Sequence, residues 1–314
     1  MASVSRAEPR TVAEAAAALA EASREGRRVS IERAGGDVVL STRGLDRVLE
    51  HEAGDLTATV EAGIRLSALS ARLAAAGQML ALDPPGDPTI GACLAGDLSG
   101  PRRHRYGAPR DLVLGVTVVL ADGTVASAGG KVVKNVAGYD LGKLFCGSQG
   151  RLGLIVRVSL RLHPRPAAER TLVVPVGSTE DAYRLAQLVH GSTLVPSAVD
   201  LLWRGAESRL ALLLEGSERA VSAQVQAARA LLGGEEAGVG VWDESRAWQE
   251  RSRGRISFPP RGLVQTLGLY PEALARPLIG SAYVVEPAPD QVEAGARGLA
   301  ERVRAAFDPQ GTFV

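Results

Sequence analysis

The amino-acid sequence predicts an α+β protein of two domains, and three observations indicate this. Apolar residues recur with helical spacing in some segments and alternate with polar residues in others, so helices and strands are both expected. The 314 residues favour two domains over one. Residues 163–170, HPRPAAER, place two prolines in a polar run and indicate a boundary. We therefore expect one domain over residues 1–165 and a second, smaller domain over residues 166–314.

The first domain is predicted to begin with a helix and to continue mainly as strands. Val12 to Arg24 is rich in alanine and Thr11 can cap its start, so a helix is expected there. Leucines at helical spacing predict a second helix over residues 65–77. A hairpin is predicted over residues 111–130, with an Asp-Gly turn between its strands. Further strands are expected at 28–32, 38–41, 55–63 and 152–164.

The second domain is predicted to combine helices and strands in a small α+β layer. Ser178 and Asp181 have the spacing of a capping box at the start of its first helix. A final helix over residues 291–307 is expected to close this domain. The other expected elements are strands at 171–176, 197–203 and 209–215 and helices at 179–190 and 218–232.

The composition argues against several classes of function. A net charge of +1 gives no general attraction to nucleic acid or to membranes. Cys93 and Cys146 lie far apart and no CxxC occurs, which argues against a disulfide framework and against an iron–sulfur cluster within this chain. The histidines have no metal-ligand spacing, so no metal site is expected. The first residues lack the apolar run of a signal peptide and no transmembrane segment is evident, so a cytoplasmic location is expected.

Three glycine-rich segments lie beside predicted strands of the first domain. They are RAGGD at 33–37, the long segment 83–107, and GSQGRLG at 147–153. None has the GxGxxG spacing of a Rossmann dinucleotide site or the sequence of a P-loop. Taken alone, GSQGRLG reads as a tight turn before a strand. Taken together, the three segments favour one elongated ligand that contains phosphate, because small residues let backbone N–H groups approach an anion.

The sequence around these loops resembles a known family of flavoproteins. Between residues 89 and 164 it contains SGPRR followed by YG, then RDLVLG, KNVAGYDL and a glycine turn before the last strand. This combination is similar to the FAD-binding domain of the vanillyl-alcohol oxidase/PCMH flavoproteins and, more narrowly, to the FAD-binding E subunits of bacterial glycolate oxidases. The resemblance covers roughly residues 40 to 165 closely and implies a PCMH-type FAD-binding domain of two subdomains, followed by a smaller α+β cap domain.

The resemblance also implies which residues hold FAD. The first glycine loop would wrap the pyrophosphate, and the second would supply backbone donors from the other side. Further positions would lie along the flavin and the ribityl chain, and the start of a strand would meet the adenine end. In that order, the matched residues are Arg33, Ala34, Gly35 and Gly36; Thr89, Ile90, Gly91 and Ala92; Ser99, Gly100, Tyr106, Gly107 and Asp111; and Gly153 and Ile155.

The sequence departs from the family pattern in the first and third loops. Asp37 follows the two glycines directly, so the first loop is shortened and carries a negative charge. Gln149 and Arg151 stand where relatives often have an acid and a threonine. No histidine follows the glycines of the first loop, so a histidyl link is not expected and FAD would be held non-covalently.

Several residues outside the glycine loops remain open between a functional and a structural role. The basic run Arg102 to Arg105 is interpreted either as a contact for FAD phosphate or an anionic substrate, or as a solvated loop or partner-binding face. Cys93 and Cys146 are expected to be inert thiols because no base is patterned near them. Lys134 and Asn135 are candidates for the flavin or a neighbouring subunit, with a polar turn as the alternative, whereas Tyr139 and Asp140 are expected to be structural.

In the second domain, arginines are the candidates for binding a substrate carboxylate, because the guanidinium group can bind it bidentately. The candidates are Arg204, Arg255 and Arg261. Trp203, Trp242 and Trp248 are expected to be packing residues. No pairing of histidine with an acid indicates a general base, so the catalytic residues are unknown.

The function that the resemblance implies is that of an FAD-binding subunit in a glycolate-oxidase-like complex. Its reaction would oxidise a small 2-hydroxy acid to a 2-oxo acid, with hydride transfer to flavin. Its implied partners are a larger FAD-binding catalytic paralogue and an iron–sulfur subunit. Two alternatives stay open: a stand-alone D-lactate-type dehydrogenase, and a degenerate scaffold that binds a catalytic paralogue without a cofactor.

Overall fold

The computed structural model describes residues 4–130, 141–289 and 291–314. The chain starts with a small parallel sheet whose strands are ordered β1-β3-β2. The helix predicted over residues 12–24 is confirmed, and the Thr11 hydroxyl accepts a hydrogen bond from the Glu14 N–H at its start (3.1 Å). The elements of this first subdomain are β1 (Ser5–Ala7), α1 (Val12–Arg24), β2 (Val29–Ile31) and β3 (Val38–Leu40).

The second subdomain is built on an antiparallel sheet, ordered β4-β5-β9-β7-β8 in the described part of the chain. The predicted hairpin is confirmed as β7 and β8, and the predicted helix at 65–77 as α2. The elements are β4 (Val48–Glu52), β5 (Thr57–Glu61), α2 (Leu66–Ala74), β6 (Gln78–Met79), α3 (Ile90–Ala95), α4 (Arg103–Tyr106), α5 (Pro109–Leu112), β7 (Val113–Val119), β8 (Val125–Gly129), α6 (Leu141–Phe145), β9 (Leu154–Arg161) and β10 (His163–Pro164).

The two subdomains share a core. Leu19 of α1 and Leu40 of β3 pack with Val119 of β7 and with Leu154 and Val156 of β9. All of these side chains are fully or almost fully buried. Burial of apolar surface stabilises the folded state by about 25 cal/mol per Å², so the shared core holds the two sheets in a fixed arrangement. A groove lies along one edge of their junction.

The rest of the chain up to Val284 forms a second domain, here called the cap domain. Its antiparallel sheet has the order β14-β11-β13-β12-β16-β17-β15 within the described residues. One face packs against α7, α8 and α10, and the other packs against α9 through Trp242 and Trp248. The elements are β11 (Ala168–Pro175), α7 (Thr179–His190), β12 (Ala198–Arg204), β13 (Arg209–Gly216), α8 (Glu218–Leu232), β14 (Glu235–Ala237), α9 (Gly240–Arg251), β15 (Gly254–Ser257), α10 (Leu263–Leu269), β16 (Glu272–Arg276) and β17 (Ser281–Val284). Short 3-10 turns occur at Ala53–Asp55, Gly205–Glu207 and Pro260–Gly262.

The end of the chain differs from the expectation that residues 166–314 form one domain. The final helix, α11 (Ala294–Phe307), packs Phe307 edge-on against Phe145 of the N-terminal domain, with ring centroids 5.7 Å apart. Phe313 is fully buried in the core around α1, and the Val29 N–H donates to the Thr312 carbonyl (2.7 Å). Apolar burial and backbone pairing therefore return residues 294–314 to the N-terminal domain, so its chain is discontinuous.

Candidate functional site

A groove of about 310 Å³ lies between β2 of the small parallel sheet and the start of β9. We call it the glycine groove. Its wall brings together residues from all three glycine-rich segments that the sequence singled out. It is lined by Ile31, Glu32, Arg33, Thr42, Thr89, Gly91, Ala92, Ala95, Gly96, Leu98, Gln149, Gly150, Gly153, Leu154 and Ile155. Of the predicted cofactor residues, Arg33, Thr89, Gly91, Ala92, Gly153 and Ile155 are in this wall.

The first glycine loop carries unengaged backbone donors, and its first residue, Arg33, lines the groove. The N–H groups of Arg33, Ala34, Gly35 and Gly36 donate to no acceptor among the described residues. Asp37 is not part of the groove wall. Its carboxylate accepts a hydrogen bond from the Arg28 N–H (2.8 Å). Successive free N–H groups on a tight turn form an anion-binding nest, so the shortened loop keeps this capacity.

The second glycine loop is different, because its backbone donors are already used within the protein. The Ile90 N–H donates to the Ile64 carbonyl (2.9 Å) and the Gly91 N–H to the Ala62 carbonyl (2.7 Å). The Ala92 N–H donates to the Thr89 hydroxyl, which caps α3 (3.2 Å). Three of the four N–H groups that were expected to face a pyrophosphate are therefore engaged within the protein, and the role of this loop stays a prediction. This loop contributes small residues, Gly91 and Ala92, to the groove wall.

The GSQGRLG turn contacts both α3 and β2 beside the groove. The N–H groups of Gly147 and Gln149 donate to the carbonyls of Leu94 and Ala95 on α3 (2.9 and 2.8 Å). Gly150 faces Ile31 of β2, where an added Cβ atom would lie 3.1 Å from the Ile31 Cδ1. The turn therefore fixes α3 and β2 around the groove, and Gln149 adds a polar side chain to its wall.

Ser99 and Gly100 lie at the junction of the two domains and are not part of the groove wall. The Ser99 hydroxyl accepts from Arg103 (3.1 Å), and the Ser99 carbonyl accepts from the Gln249 side chain of α9 (2.8 Å). At Gly100 a Cβ atom would stand 1.8 Å from the Asp83 carbonyl oxygen. Close backbone packing therefore explains this glycine without a ligand.

Tyr106, Gly107 and Asp111 also lie outside the groove wall. The Asp111 carboxylate accepts from the Ala108 N–H at the start of α5 (2.8 Å). The Tyr106 ring packs edge-on against His163 (4.9 Å between centroids), and burial, with the nearby Glu215 charge, raises the pKa of its hydroxyl. These three residues, like Ala34, Gly35, Gly36 and Ile90, remain predicted rather than located cofactor contacts.

The basic run Arg102 to Arg105 is not an open cluster of one charge. Arg102 donates to the fully buried Glu215 of β13 (2.6 Å), and Arg103 pairs with Asp97 (3.0 Å). Arg105 reaches the Glu215 carbonyl (3.3 Å). The structure therefore supports a third interpretation, in which Arg102 and Arg105 join the N-terminal domain to the cap domain while Arg103 pairs within the N-terminal domain.

The arginine candidates of the cap domain do not converge on one point. Arg204 lies over the Trp248 ring (4.7 Å), Arg255 approaches Asp97 of the N-terminal domain (3.8 Å), and Arg261 is exposed on a 3-10 turn. All three tryptophans are buried, as expected for packing residues. A side chain that sequence reasoning missed is Arg276 of β16, which is fully buried and donates to Asp200 (3.2 Å).

Arg276 also donates to the Tyr283 hydroxyl (3.1 Å) and to the side-chain Oε1 of Gln249 (2.7 Å). No local sequence signal marks it, since a lone arginine in an apolar strand is indistinguishable from a surface residue until the sheet is assembled. Burial raises the pKa of the Cys93 thiol to about 12, in keeping with an inert cysteine. Lys134, Asn135, Tyr139 and Asp140 lie outside the described residues.

Two further searches concern metals and membranes. Across residues 4–130, 141–289 and 291–314, His, Cys, Asp and Glu do not gather in a group that could hold a metal ion. Every helix in the described parts of the chain is too short or too polar to span a bilayer.

The family comparison decides what kind of domain surrounds the glycine groove. Residues 6–129 match the family model described as "FAD binding domain". These residues are therefore similar to FAD-binding domains. This match supports FAD as the cofactor, in agreement with the resemblance seen in the sequence.

Relatives with similar sequences include subunits of hydroxy-acid oxidising enzymes. Glycolate oxidase subunit GlcE of Escherichia coli (strain K12) is 36% identical over 205 residues, which are 64% of this chain and 56% of that protein. Glycolate oxidase subunit GlcD of Bacillus subtilis (strain 168) is 33% identical over 53% of this chain and 36% of its own length. D-lactate dehydrogenase [cytochrome] 1 of Saccharomyces cerevisiae (strain ATCC 204508 / S288c), a mitochondrial protein, is 34% identical over 50% of this chain and 27% of its own.

The matched parts are therefore about half of these relatives or less. Among solved structures, alkyldihydroxyacetonephosphate synthase superposes over 98% of this chain and 75% of its own with a TM-score of 0.74. The sequence identity of that pair is 16%, so the likeness concerns the fold alone.

Parts of the glycine groove suit FAD, and one part does not. Its volume of about 310 Å³ is at the lower end of the range of ligand sites. The nest of N–H groups at residues 33–36 suits a diphosphate, and the small residues of α3 leave room beside it for an extended molecule. Glu32, a carboxylate in the wall, is the part of the lining that does not match an anionic cofactor.

Proposed function

We propose that the protein is a cytoplasmic FAD-binding subunit of a dehydrogenase complex that oxidises a small 2-hydroxy acid to the 2-oxo acid. The observation that carries this proposal is the nest of free N–H groups at Arg33 to Gly36, whose first residue lines a groove and which lies in a segment that matches an FAD-binding domain. The names of the relatives, glycolate oxidase subunits and D-lactate dehydrogenases, support the substrate class.

The residues of the groove would bind and orient the cofactor. The N–H groups of the first loop hold the diphosphate non-covalently, and the wall formed by Ala92 and Gly153 accommodates the length of the molecule. Oxidation at C2 of a hydroxy acid needs an acceptor for a hydride, and this is the chemistry that FAD supplies when bound. The protein would contribute by binding FAD and orienting it.

The proposed complex includes a larger FAD-binding catalytic paralogue and an iron–sulfur subunit. The candidate carboxylate-binding arginines of this chain are dispersed, and the buried Arg276 is occupied by Asp200, Tyr283 and Gln249. A substrate carboxylate therefore finds no assembled arginine clamp among the residues that were considered for one. The absence of such a clamp among these arginines supports the proposal that turnover depends on a partner chain.

One observation favours a second candidate, a scaffold subunit without a cofactor. The N–H groups of Ile90, Gly91 and Ala92 are occupied, and Glu32 adds a negative charge to the groove. Both features lower the affinity of the groove for an anion, whereas the free N–H groups at residues 33–36 increase this affinity. FAD uptake distinguishes the two functions directly.

The test is FAD titration followed by a dye-reduction assay. We expect the purified protein, or protein incubated with FAD, to show a flavin spectrum and to release FAD on acid precipitation. We expect the isolated chain to be nearly inactive on glycolate and D-lactate, and activity to appear when it is co-expressed with the proposed partners. Protein that takes up no FAD would instead be a scaffold. Robust turnover by the isolated chain would identify a stand-alone dehydrogenase.

A further inference from the structure

Glu32 is an acid held rigidly in the wall of the glycine groove. Its Oε1 atom accepts hydrogen bonds from the Thr42 N–H (2.6 Å), the Thr42 hydroxyl (3.0 Å) and the Ser41 hydroxyl (3.2 Å). Ser41 and Thr42 are buried. The backbone of Glu32 is left-handed, with φ of 61°, a conformation that is uncommon for residues other than glycine. The surrounding structure therefore fixes this carboxylate in place.

The charge of Glu32 has no close, buried cation to balance it. The guanidinium of Arg43 is 3.8 Å away and its side chain is 55% exposed, so solvent screens this pair. Arg33 also lines the groove, but its guanidinium donates to the Val314 carbonyl (3.4 Å). The remaining residues of the wall are uncharged.

The residue that follows Glu32 begins the nest of N–H groups that the proposed function assigns to the diphosphate. Glu32 and Arg33 line the same groove, so a dianion bound there by the first loop shares the groove with a carboxylate that is held in place. Two like charges separated by several ångströms in a partly hydrated site repel each other appreciably, and the hydrogen bonds from Thr42 and Ser41 hold the Glu32 carboxylate in place.

This inference rests on the proposed function. We propose that Glu32 is a negative determinant of cofactor affinity: its fixed carboxylate opposes the diphosphate of FAD and keeps FAD binding weak and exchangeable. The same carboxylate stabilises the fold locally, because it supplies the acceptor for the Thr42 N–H. Glu32 therefore lowers the affinity for FAD and at the same time stabilises the turn between β2 and β3.

The test compares Glu32→Gln with the wild type by calorimetric titration of FAD, ADP and adenosine. We expect Glu32→Gln to bind FAD and ADP about tenfold more tightly, as removal of one charge near a diphosphate requires. Adenosine, which has no phosphate, should bind equally to both proteins. The difference for FAD should shrink at high salt, because salt screens the repulsion. Asp37→Asn is the matched control, since Asp37 also accepts a backbone N–H near the loop but lies outside the groove wall.

Melting curves show whether each variant is folded, and Glu32→Ala carries the same expectation if Glu32→Gln unfolds. Weaker FAD binding by a folded variant would overturn the inference and assign Glu32 to hydrogen bonding with ribose hydroxyls. Equal binding would overturn the inference and leave the proposed function standing. If neither protein binds FAD or ADP, the proposed function and the inference are both rejected.

Discussion

Individual glycines in this protein serve backbone packing as much as ligand approach. A Cβ atom at Gly91 would lie 3.0 Å from the Ala62 Cβ and 3.1 Å from the Ala62 carbonyl oxygen. The interior has little free volume, so such contacts shift neighbouring atoms. Substitution of Gly91 therefore perturbs the junction of β5 and α3 before it affects any bound molecule. Ala92, the next residue, lines the glycine groove and is only partly buried.

The first prediction at this scale uses that difference. We expect Ala92→Phe to fill part of the groove and to abolish FAD uptake while the melting temperature stays within a few degrees of the wild type. We expect Gly91→Val to lower the free energy of unfolding by about 1–3 kcal/mol, as overpacking does. Ala75→Phe, at an exposed position after α2, is the control for adding a ring. Normal FAD binding by Ala92→Phe would show that FAD does not occupy the groove.

At the scale of elements, the loop before α4 is tied to β13 of the cap domain. Arg102 keeps 24% of its side chain exposed, whereas Glu215 is fully buried. Arg102 contacts Glu215 through Nε (3.0 Å) and Nη2 (2.6 Å). A buried carboxylate left without its partner costs several kcal/mol, whereas replacing both charges by apolar groups is often neutral. The contact therefore orients the two domains.

We predict that Arg102→Met lowers the free energy of unfolding by about 3–5 kcal/mol, because Glu215 is then buried without its partner. The double variant Arg102→Met with Glu215→Leu should recover most of this loss. Arg110→Met changes an exposed arginine of α5 and should be nearly neutral. Urea denaturation measures all three. A cost for Arg102→Met no larger than that for Arg110→Met would contradict the role of this ion pair.

At the scale of the whole molecule, the cap domain is held by polar contacts that meet near Asp83. The Asp83 carboxylate accepts from the Arg102 N–H (3.1 Å) and lies 4.0 Å from Arg246 of α9. Burial raises the pKa of Asp83 to about 6, although the neighbouring arginines oppose this shift. The carboxyl group at the domain junction therefore titrates in a mildly acidic range.

This shift predicts a pH dependence with a definite sign. The unfolded chain has an Asp pKa of about 3.9, so the folded protein binds the Asp83 proton more tightly. The stability from this proton is fully present below about pH 4 and is lost as the pH rises through about 6. We expect the wild type to gain on the order of 2 kcal/mol relative to Asp83→Asn between pH 7 and pH 4.5.

Asp87→Asn is the control of opposite sign for that measurement. Hydrogen bonds from Ser67 lower the pKa of Asp87, so its contribution to stability is lost as the pH falls. Urea denaturation of the three proteins at several pH values measures both effects. Parallel pH profiles for the wild type and Asp83→Asn would show that Asp83 titrates normally.

Most regular elements could be predicted wherever their signals are local. The helices at 12–24, 179–190 and 218–232 agree with the structure to the residue, because apolar spacing and the capping residues Thr11, Ser178 and Ser217 are all within a few positions. No element was predicted between residues 233 and 289, where the structure has the short strands β14, β15, β16 and β17 and the helices α9 and α10. Short strands depend on their sheet neighbours and leave little periodicity to detect.

The glycine content of three segments in one flavoprotein-like domain is enough to predict a shared ligand site, and residues from all three segments line one groove. Which of their backbone donors are available depends on the tertiary structure. The N–H groups of Ile90 and Gly91 are engaged by carbonyls about 30 positions earlier in the chain, and those of Arg33 to Gly36 are not. The same holds for Arg102, whose partner Glu215 is 113 positions away. Glycine content and charge are local properties of a sequence, whereas the partner of each polar group is set by the packing of distant segments.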